Sequence, residues 1–548
     1  MDKLSYIPLG GVTKVTKNMH LYEYGDSVLI VDCGLGFADE TMMGVDLLLP
    51  DITYLKNSKK KIVGMVITHG HEDHMGALPY ILPDLPGDFQ IFASKFTTEI
   101  ANDKLKEFGV ARKINFLDFG REVQIGPFKI TLIRVTHSVP DTSHVFIKTP
   151  IGNFYHGSDF KFDPNPYDGK RSDIEAITSI ARQGVLCLLS DCLGSEKPGK
   201  SRSESTLTIP IEEEMRNTKG KFILTTYSSN IARLNQTIDA ARKLNKFVCF
   251  LGRSLIKAAD LGQRIKYLNI EKSIEISIDQ LKNIKDNNVV LIVAGAQGQE
   301  GSALSRIVNG DHKDVTIKPN DTVVFSADPI PGNEVSVYSL VDAICKIGAR
   351  VIYSEISDAF HVSGHGTQDD LAEIMDLVSP KYLLPIGGTY RHIVSYRDIA
   401  LKKGYTREQI IMPDDGLEII FEGNKVSYGR KLPIKNVYVD QLSGEEIESF
   451  VLRDREKLSK EGIVILMIEV DASGQIFGNP NIIVKGFPSA EITKIVKGLP
   501  VELRKKLSKK SKVSDWNYER KTIGNIVERF IFYKFRRRPL VLPVVIEV

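Results

Sequence analysis

The sequence predicts an α/β protein: a strand-rich first domain, an inserted domain of alternating strands and helices, and a small α+β unit at the C-terminal end. Three observations carry that expectation. Ile62 to Ile67 is a β-branched, apolar run, the mark of a buried strand, and it stops at Thr68-His69-Gly70-His71-Glu72-Asp73-His74. From about residue 200 to 354, strand-like and helix-like stretches alternate, as in a parallel sheet covered by helices. The last hundred residues read β-β-α-α-β over 463–470, 475–485, 490–507, 516–535 and 539–547.

In chain order, short strands are expected at Leu4 to Leu9, His20 to Tyr24 and Ser27 to Val31, the last ending in Asp32. After the histidine-rich stretch, Met75 to Leu82 has helical spacing with Pro83 as its stop. Phe89–Ala93 and Lys129–Val135 read as further strands, the second delivering His137; Phe154-Tyr155 leads into His156 and Asp159. The alternating region places strands at 221–227, 246–252, 288–296, 321–327 and 350–354, with helices near 230–245, 254–268 and 334–348. Its polar strand ends, Ser228-Ser229-Asn230, Gly295-Ala296-Gln297-Gly298 and Pro331-Gly332-Asn333-Glu334, suit phosphate through backbone amides, although most strand–helix turns are polar simply for capping. A helix follows at 368–378, then strands at 381–386 and 417–428 that return to the first domain's sheet. The expected domains are 1–202 and 368–430 (first domain in two parts), 203–367 (insertion), 431–450 (linker) and 451–548, which opens with a short charged helix from Val451 to Lys460.

Composition excludes several classes. A hydrophobic content of 42% and a charged content of 26% are those of a soluble globular protein. No apolar run approaches the ~20 residues that span a bilayer, and the start of the chain lacks a signal-peptide pattern. Five cysteines without a CxxC pair argue for a reducing compartment, so a cytoplasmic location is expected. Net charge is +3, but residues 451–548 hold 20 Lys/Arg against 11 Asp/Glu, a basic appendage suited to a polyanion or an ordinary solvated helical surface.

Chemistry concentrates in the stretch His69 to His74. On the extended end of a strand, His69 and His71 point the same way, while Asp73 and His74 fall on the turn into the helix and aim elsewhere. Four ligand-type side chains within six residues can serve two adjacent metal ions, and imidazole with carboxylate suits zinc. His137 and Asp159, each just past a strand, would complete such a site with Asp159 as the bridging carboxylate. Asp32, at a strand tip, is placed to orient a ligating histidine or merely to cap a turn.

Taken together with Ile7-Pro8-Leu9-Gly10-Gly11, Ser158-Asp159-Phe160-Lys161-Phe162-Asp163, Leu189-Ser190-Asp191, Gly252-Arg253-Ser254, Ser302-Ala303-Leu304-Ser305-Arg306, Pro329-Ile330-Pro331-Gly332-Asn333-Glu334, His361-Val362-Ser363-Gly364-His365 and the ending Arg537-Arg538-Pro539-Leu540-Val541-Leu542-Pro543, these motifs resemble the ribonuclease J family over nearly the whole chain. That family has a metallo-β-lactamase αββα sandwich with an inserted β-CASP α/β domain. The resemblance implies one Zn²⁺ on His69, His71, His137 and Asp159 and another on Asp73, His74 and Asp159, with Mn²⁺ or Mg²⁺ as alternatives and Asp32 supporting the histidines. It implies catalytic roles for Asp73, Asp191 and His365, the last as a general acid. A 5′-monophosphate pocket would draw on Ser229, Asn230, Arg233, His361, Val362, Ser363, Gly364 and His365. The substrate would be single-stranded RNA, cut 5′→3′ with some endonuclease activity during rRNA processing and mRNA decay. The C-terminal domain would assemble dimers or tetramers.

One position departs from the pattern. Where the family has a histidine for the second zinc after Pro385-Ile386, this chain has Gly387, so a weakly held second ion is expected. His392 could reach back as a substitute; His144 and His156 are remoter candidates. Two rivals remain at this level. A thioester- or lactam-type hydrolase would not need a 165-residue insertion between its metal motifs. A silent RNA-binding partner subunit rests on Gly387 alone.

Overall fold

The computed structural model describes residues 3–38, 42, 44–330, 332–423, 425–440, 446–470, 476–507 and 516–547. Pro331, residue 475 and positions 441–445 of the expected linker lie outside the described residues. The chain divides into two compact units, Met1–Phe37 with Leu48–Val437, and Ala38–Leu47 with Tyr438–Val548.

The first unit is built on two facing sheets and a third in the insertion. The first sheet runs Lys425–Lys431, Leu417–Glu422, Lys3–Gly10, Met19–Tyr24, Ser27–Val31, Lys61–Ile67, Gln90–Ala93 and Ile114–Phe116. The second runs Tyr382–Ile386, Cys187–Asp191, Gly152–Gly157, Ser143–Thr149, Phe128–Arg134 and Glu122–Ile125. Leu4, Tyr22, Leu29 and Val66 of the first sheet meet Ile130, Leu132, Val145 and Phe154 of the second in one buried cluster. Helices Ile174–Ala181, Gln368–Val378 and Tyr390–Lys402 cover the second sheet's other face through Ile177, Leu371, Ile374 and Tyr396. This is the expected αββα sandwich. The strand Lys425–Lys431 carries the first sheet one residue past the expected boundary at 430.

The insertion holds a fully parallel sheet in the order Phe247–Leu251, Val289–Val293, Phe222–Thr225, Thr322–Phe325 and Arg350–Ile352. Its strands are mostly apolar because helices bury both faces. In the second unit, Ile463–Val470 pairs antiparallel with Ile476–Lys485 and parallel with Leu540–Glu547. Val464, Leu466 and Ile468 pack against Ile495, Leu499, Val527 and Ile531 of helices Ser489–Leu507 and Trp516–Phe535. The opposite face leaves Ile483, Leu542, Val544 and Ile546 exposed.

The expected single helix Met75 to Leu82 is replaced by two short ones, Glu72–Met75 and Leu78–Ile81, followed by a 3₁₀ turn Leu82–Asp84. Helix formation begins one turn earlier than the apolar spacing suggests, and Pro79 sits in the first turn of the second piece, where its missing N–H costs nothing. Asp73 and His74 therefore lie in a helical turn that tertiary contacts hold in place. Asn18 N–H donates to the Asp73 carbonyl (3.0 Å), Cys33 N–H to that of His74 (2.7 Å) and Leu35 N–H to that of Glu72 (2.9 Å). Gly34 permits this approach: a Cβ there would stand 1.6 Å from the Asp73 carbonyl oxygen. Gly34→Ala is expected to lower stability by about 3 kcal/mol and to displace Asp73 and His74. Thermal denaturation combined with metal-binding titration measures both effects.

Candidate metal centre

Six strands end at one edge of the sandwich, and five of them deliver a polar side chain there. Ser27–Val31 ends at Asp32, Lys61–Ile67 at His69, Phe128–Arg134 before His137, Gly152–Gly157 before Asp159, Cys187–Asp191 at Asp191, and Tyr382–Ile386 at Gly387. His69, His71, His137 and Asp159 offer one ligand atom each within 4.8 Å of one another; Asp73, His74 and Asp159 form a second such group. His69 Nε2 lies 3.2 Å from His71 Nδ1, which lies 3.1 Å from His137 Nε2. Asp159 Oδ2 stands 3.7 Å from His69 Nε2 and from His137 Nε2. A tetrahedral zinc site with bonds near 2.0–2.1 Å has edges of about 3.4 Å, so these four atoms fit a cation without rearrangement. In the second group, Asp159 Oδ2 is 3.4 Å and Asp73 Oδ2 3.7 Å from His74 Nε2.

Protonation favours the same assignment. Burial drives His69, His71 and His137 toward the neutral imidazole that ligates metals, His71 down to about 3. His74 behaves differently: burial opposes its charge, but Asp159, Asp73 and Asp32 outweigh burial and raise its pKa. Burial raises Asp73 to about 6. The second position is thus rich in carboxylate, and a cation there would take over the charge that His74 otherwise carries.

The supporting contacts are specific. Asp32, in a left-handed backbone conformation (φ 65°), accepts from Thr68 N–H (2.8 Å) and Thr68 Oγ1 (2.9 Å), and its Oδ2 meets His74 Nδ1 at 2.8 Å. It orients one histidine, His74, through a direct contact. His137 Nδ1 donates to the Gly364 carbonyl (2.8 Å), so the turn Ser363-Gly364-His365 reaches from the insertion into the metal cluster. His365 Nδ1 lies 2.7 Å from Asp191 Oδ2, and its Nε2 lies 4.0 Å from Asp159 Oδ2. Burial disfavours charge on His365, but the carboxylates of Asp191 and Asp159 prevail and carry its pKa up to about 9.

Gly387 has φ 69°, and its N–H donates to the Gly11 carbonyl (2.7 Å). A Cβ built there would point between Asp191 Oδ1 (3.5 Å) and Asp159 Oδ1 (3.7 Å), so this position faces the cluster and contributes no ligand to it. His392 does not fill the gap. It caps its own helix, with Nδ1 3.1 Å from Thr389 Oγ1, and its Nε2 lies 3.4 Å from Glu196. His144 is buried against Tyr155 OH and the Ser158 carbonyl, and His156 against Tyr22 OH; both are hydrogen-bonded core histidines.

Three models of known families match this chain: Metallo-beta-lactamase superfamily over residues 12–184, Ribonuclease J beta-CASP domain over 219–344, and Ribonuclease J C-terminal domain over 450–548. The chain is 32% identical to Ribonuclease J2 of Bacillus subtilis (strain 168), covering 100% of this chain and 99% of that one. The chain belongs to the ribonuclease J family. It is also 32% identical to Ribonuclease J of Thermus thermophilus, over 100% of this chain and 96% of that one. A solved structure of a protein of unknown function from Enterococcus faecalis V583 shares the fold at a TM-score of 0.54 and 15% identity, covering 77% of this chain and 100% of that one. Membership in the ribonuclease J family makes the chain a metal-dependent ribonuclease; the metallo-β-lactamase fold implies a divalent metal, and this cluster could bind one.

Against the ribonuclease J pattern, part of the expected pocket lies in the interior. Arg233 is fully buried, donating to Glu204 Oε2 (2.8 Å), Gln236 Oε1 (2.8 Å), the Phe360 carbonyl (2.9 Å) and Ser326 Oγ. A guanidinium buried on four hydrogen bonds shapes the 360–365 turn and does not face the solvent. Asn230 uses its side chain to cap its own helix at Arg233 N–H (3.0 Å), and Val362 is buried. Ser363 accepts from His365 N–H (3.1 Å) and stays partly exposed, as does Ser229. Sequence reasoning missed Asn18, whose Nδ2 lies 3.1 Å from both the Asp73 carbonyl and His74 Nε2. No spacing rule links it to residues more than fifty positions away. Gly364→Ala places a Cβ 2.7 Å from the His137 ring; metal affinity is expected to fall about 10- to 100-fold, read by chelator competition.

Proposed function

We propose that the protein hydrolyses phosphodiester bonds of single-stranded RNA, degrading it 5′→3′ from a monophosphorylated end with additional endonuclease activity, in rRNA processing and mRNA decay in the cytoplasm. The observation that carries this reading is the convergence of His69, His71, His137 and Asp159 at tetrahedral spacing beside the His365–Asp191 pair. His69, His71, His137 and Asp159 would hold one Zn²⁺, and Asp73, His74 and Asp159 a second cation, Zn²⁺ or Mn²⁺ or Mg²⁺. Bound there, the cations supply Lewis-acid stabilisation of the phosphodiester and an acidified water. The protein's own groups do the rest. Gly364 and Asp32 fix the rings of His137 and His74, and His365, protonated at neutral pH, donates its proton to the leaving oxygen while Asp191 holds its Nδ1. Ser229, Ser363 and His361 line the 5′-end pocket, and Arg233 and Asn230 hold its walls. Among the described residues, no helix is long and apolar enough to cross a membrane.

Gly387 makes the second ion the weaker one, and nothing else at the site favours an inactive subunit. After dialysis, elemental analysis is expected to find one tightly retained metal per chain, with a second equivalent binding reversibly and raising the cleavage rate. His71→Ala should lower turnover on 5′-monophosphorylated RNA by orders of magnitude while RNA affinity stays close to that of the parent. Two equally tight ions, or full turnover in His71→Ala, would contradict the assignment.

Homodimers or homotetramers would form through the C-terminal unit, whose sheet turns Ile483, Leu542, Val544 and Ile546 to solvent. Val544→Glu is expected to reduce the particle mass in analytical ultracentrifugation without unfolding the unit.

A further inference from the structure

The parallel sheet of the insertion changes direction at Phe222–Thr225, which is flanked by Val289–Val293 on one side and Thr322–Phe325 on the other. Open α/β sheets take ligands in the crevice beyond the carboxyl ends of strands at such a point. The loops after these three strands meet there. Tyr227 OH and Gln297 Nε2 both donate to the Asp328 carbonyl, each at 2.9 Å. The turn that carries His361 joins them, pinned by Arg233 Nη1 and Ser326 Oγ on the Phe360 carbonyl. His361 Nε2 lies 3.5 Å from Asp328 Oδ2; the His361 side chain is 12% exposed and that of Asp328 44%. Beneath the ring, Arg233 and Glu204 neutralise each other at 2.8 Å. The imidazole that would greet a terminal phosphate therefore already has an anionic partner, and that partner is the more exposed of the two.

We propose that Asp328 is a specificity-determining residue for the 5′ end of RNA: its carboxylate competes with a terminal phosphate for His361 and so narrows the preference for 5′-monophosphorylated over 5′-hydroxyl RNA. The inference rests on the assignment of the Ser229, Ser363 and His361 pocket to the 5′ end. A phosphate entering the crevice accepts a hydrogen bond from His361, whose pKa burial holds below the ordinary histidine value, and is repelled by Asp328, whereas an uncharged 5′-hydroxyl meets no such repulsion. Like charges forced together at a recognition site cost affinity, and water around the half-exposed Asp328 limits the effect to about tenfold. The loop contacts from Tyr227 and Gln297 fix the Asp328 backbone, so the side chain leaves His361 only by rotating.

The test compares kcat/KM on one single-stranded RNA sequence bearing a 5′-monophosphate or a 5′-hydroxyl, for the parent protein and for Asp328→Asn, Asp328→Glu and His361→Ala at matched metal content. The monophosphate-to-hydroxyl ratio is expected to rise about tenfold in Asp328→Asn, to stay near the parent value in Asp328→Glu, and to fall in His361→Ala. A ratio that falls in His361→Ala but does not move in Asp328→Asn overturns the role of Asp328 and leaves the pocket standing. Equal rises in Asp328→Asn and Asp328→Glu overturn the electrostatic competition. A ratio that no substitution moves overturns the pocket and the proposal together.

Discussion

One carboxylate oxygen organises the centre. Asp159 Oδ2 lies within 3.4–4.0 Å of the Nε2 atoms of His74, His69, His137 and His365. It belongs to both ligand groups and also faces the His365–Asp191 pair. Placing four imidazoles around a buried anion is tolerable only because the anion offsets their charge or because cations are shared among them. The surrounding architecture serves that arrangement. Asp159 follows Gly152–Gly157, whose parallel neighbour Cys187–Asp191, itself paired in parallel with Tyr382–Ile386, brings Asp191 and Gly387 to the same edge in register.

The two halves of the cluster are unequal. On one side are three imidazoles that burial keeps neutral, with His137 oriented by Gly364. On the other are His74 and three carboxylates, with Gly387 standing where a further ligand would point. The positive φ of Gly387 and its hydrogen bond to Gly11 suit glycine, whereas an L-residue there would be strained. On the proposed assignment, this asymmetry would make the first cation firm and the second a dependent one, joined through Asp159.

The inserted domain is more than a lid over the sandwich. Arg233, Glu204 and Gln236 form a buried polar core under the 360–365 turn, and Lys161 of the sandwich reaches towards it, with Nζ 3.5 Å from Glu204 Oε1. Through the Phe360 carbonyl that core sets the height of the turn, and through Gly364 the turn sets His137. On the proposed assignment, residues that would bind the RNA end and the carbonyl that orients His137 share one short segment. A charged group such as Asp328 on the neighbouring strand end acts on the same segment.

The clustering of His and Asp side chains, the parallel insertion and the β-β-α-α-β tail were legible in the chain itself, and the two-sheet sandwich in its resemblance. Strand ends carry ligands at short, fixed spacings, and apolar runs of period 2 or 3.6 report local burial directly. Helices Lys95–Glu107, Thr208–Asn217 and Ala303–Val308 escaped that reading: the first two lack a side-chain cap bond, and the third, capped by Ser302, is only six residues long. The break between Glu72–Met75 and Leu78–Ile81 escaped it because hydrogen bonds from residues 18–35 decide where the turn sits. What only tertiary structure decided is which polar side chains face the site. Arg233 and Asn230 look like ligand-binding residues in sequence, yet one is buried in the interior and the other caps its own helix. His392 looks like a spare ligand, yet it closes a capping box. Asn18 carries no motif, yet it touches His74, and Gly364, expected only in a phosphate pocket, holds His137 through its carbonyl. Spacing along a strand or helix sets direction over a few residues; partners hundreds of residues apart are chosen by packing, which no local pattern encodes.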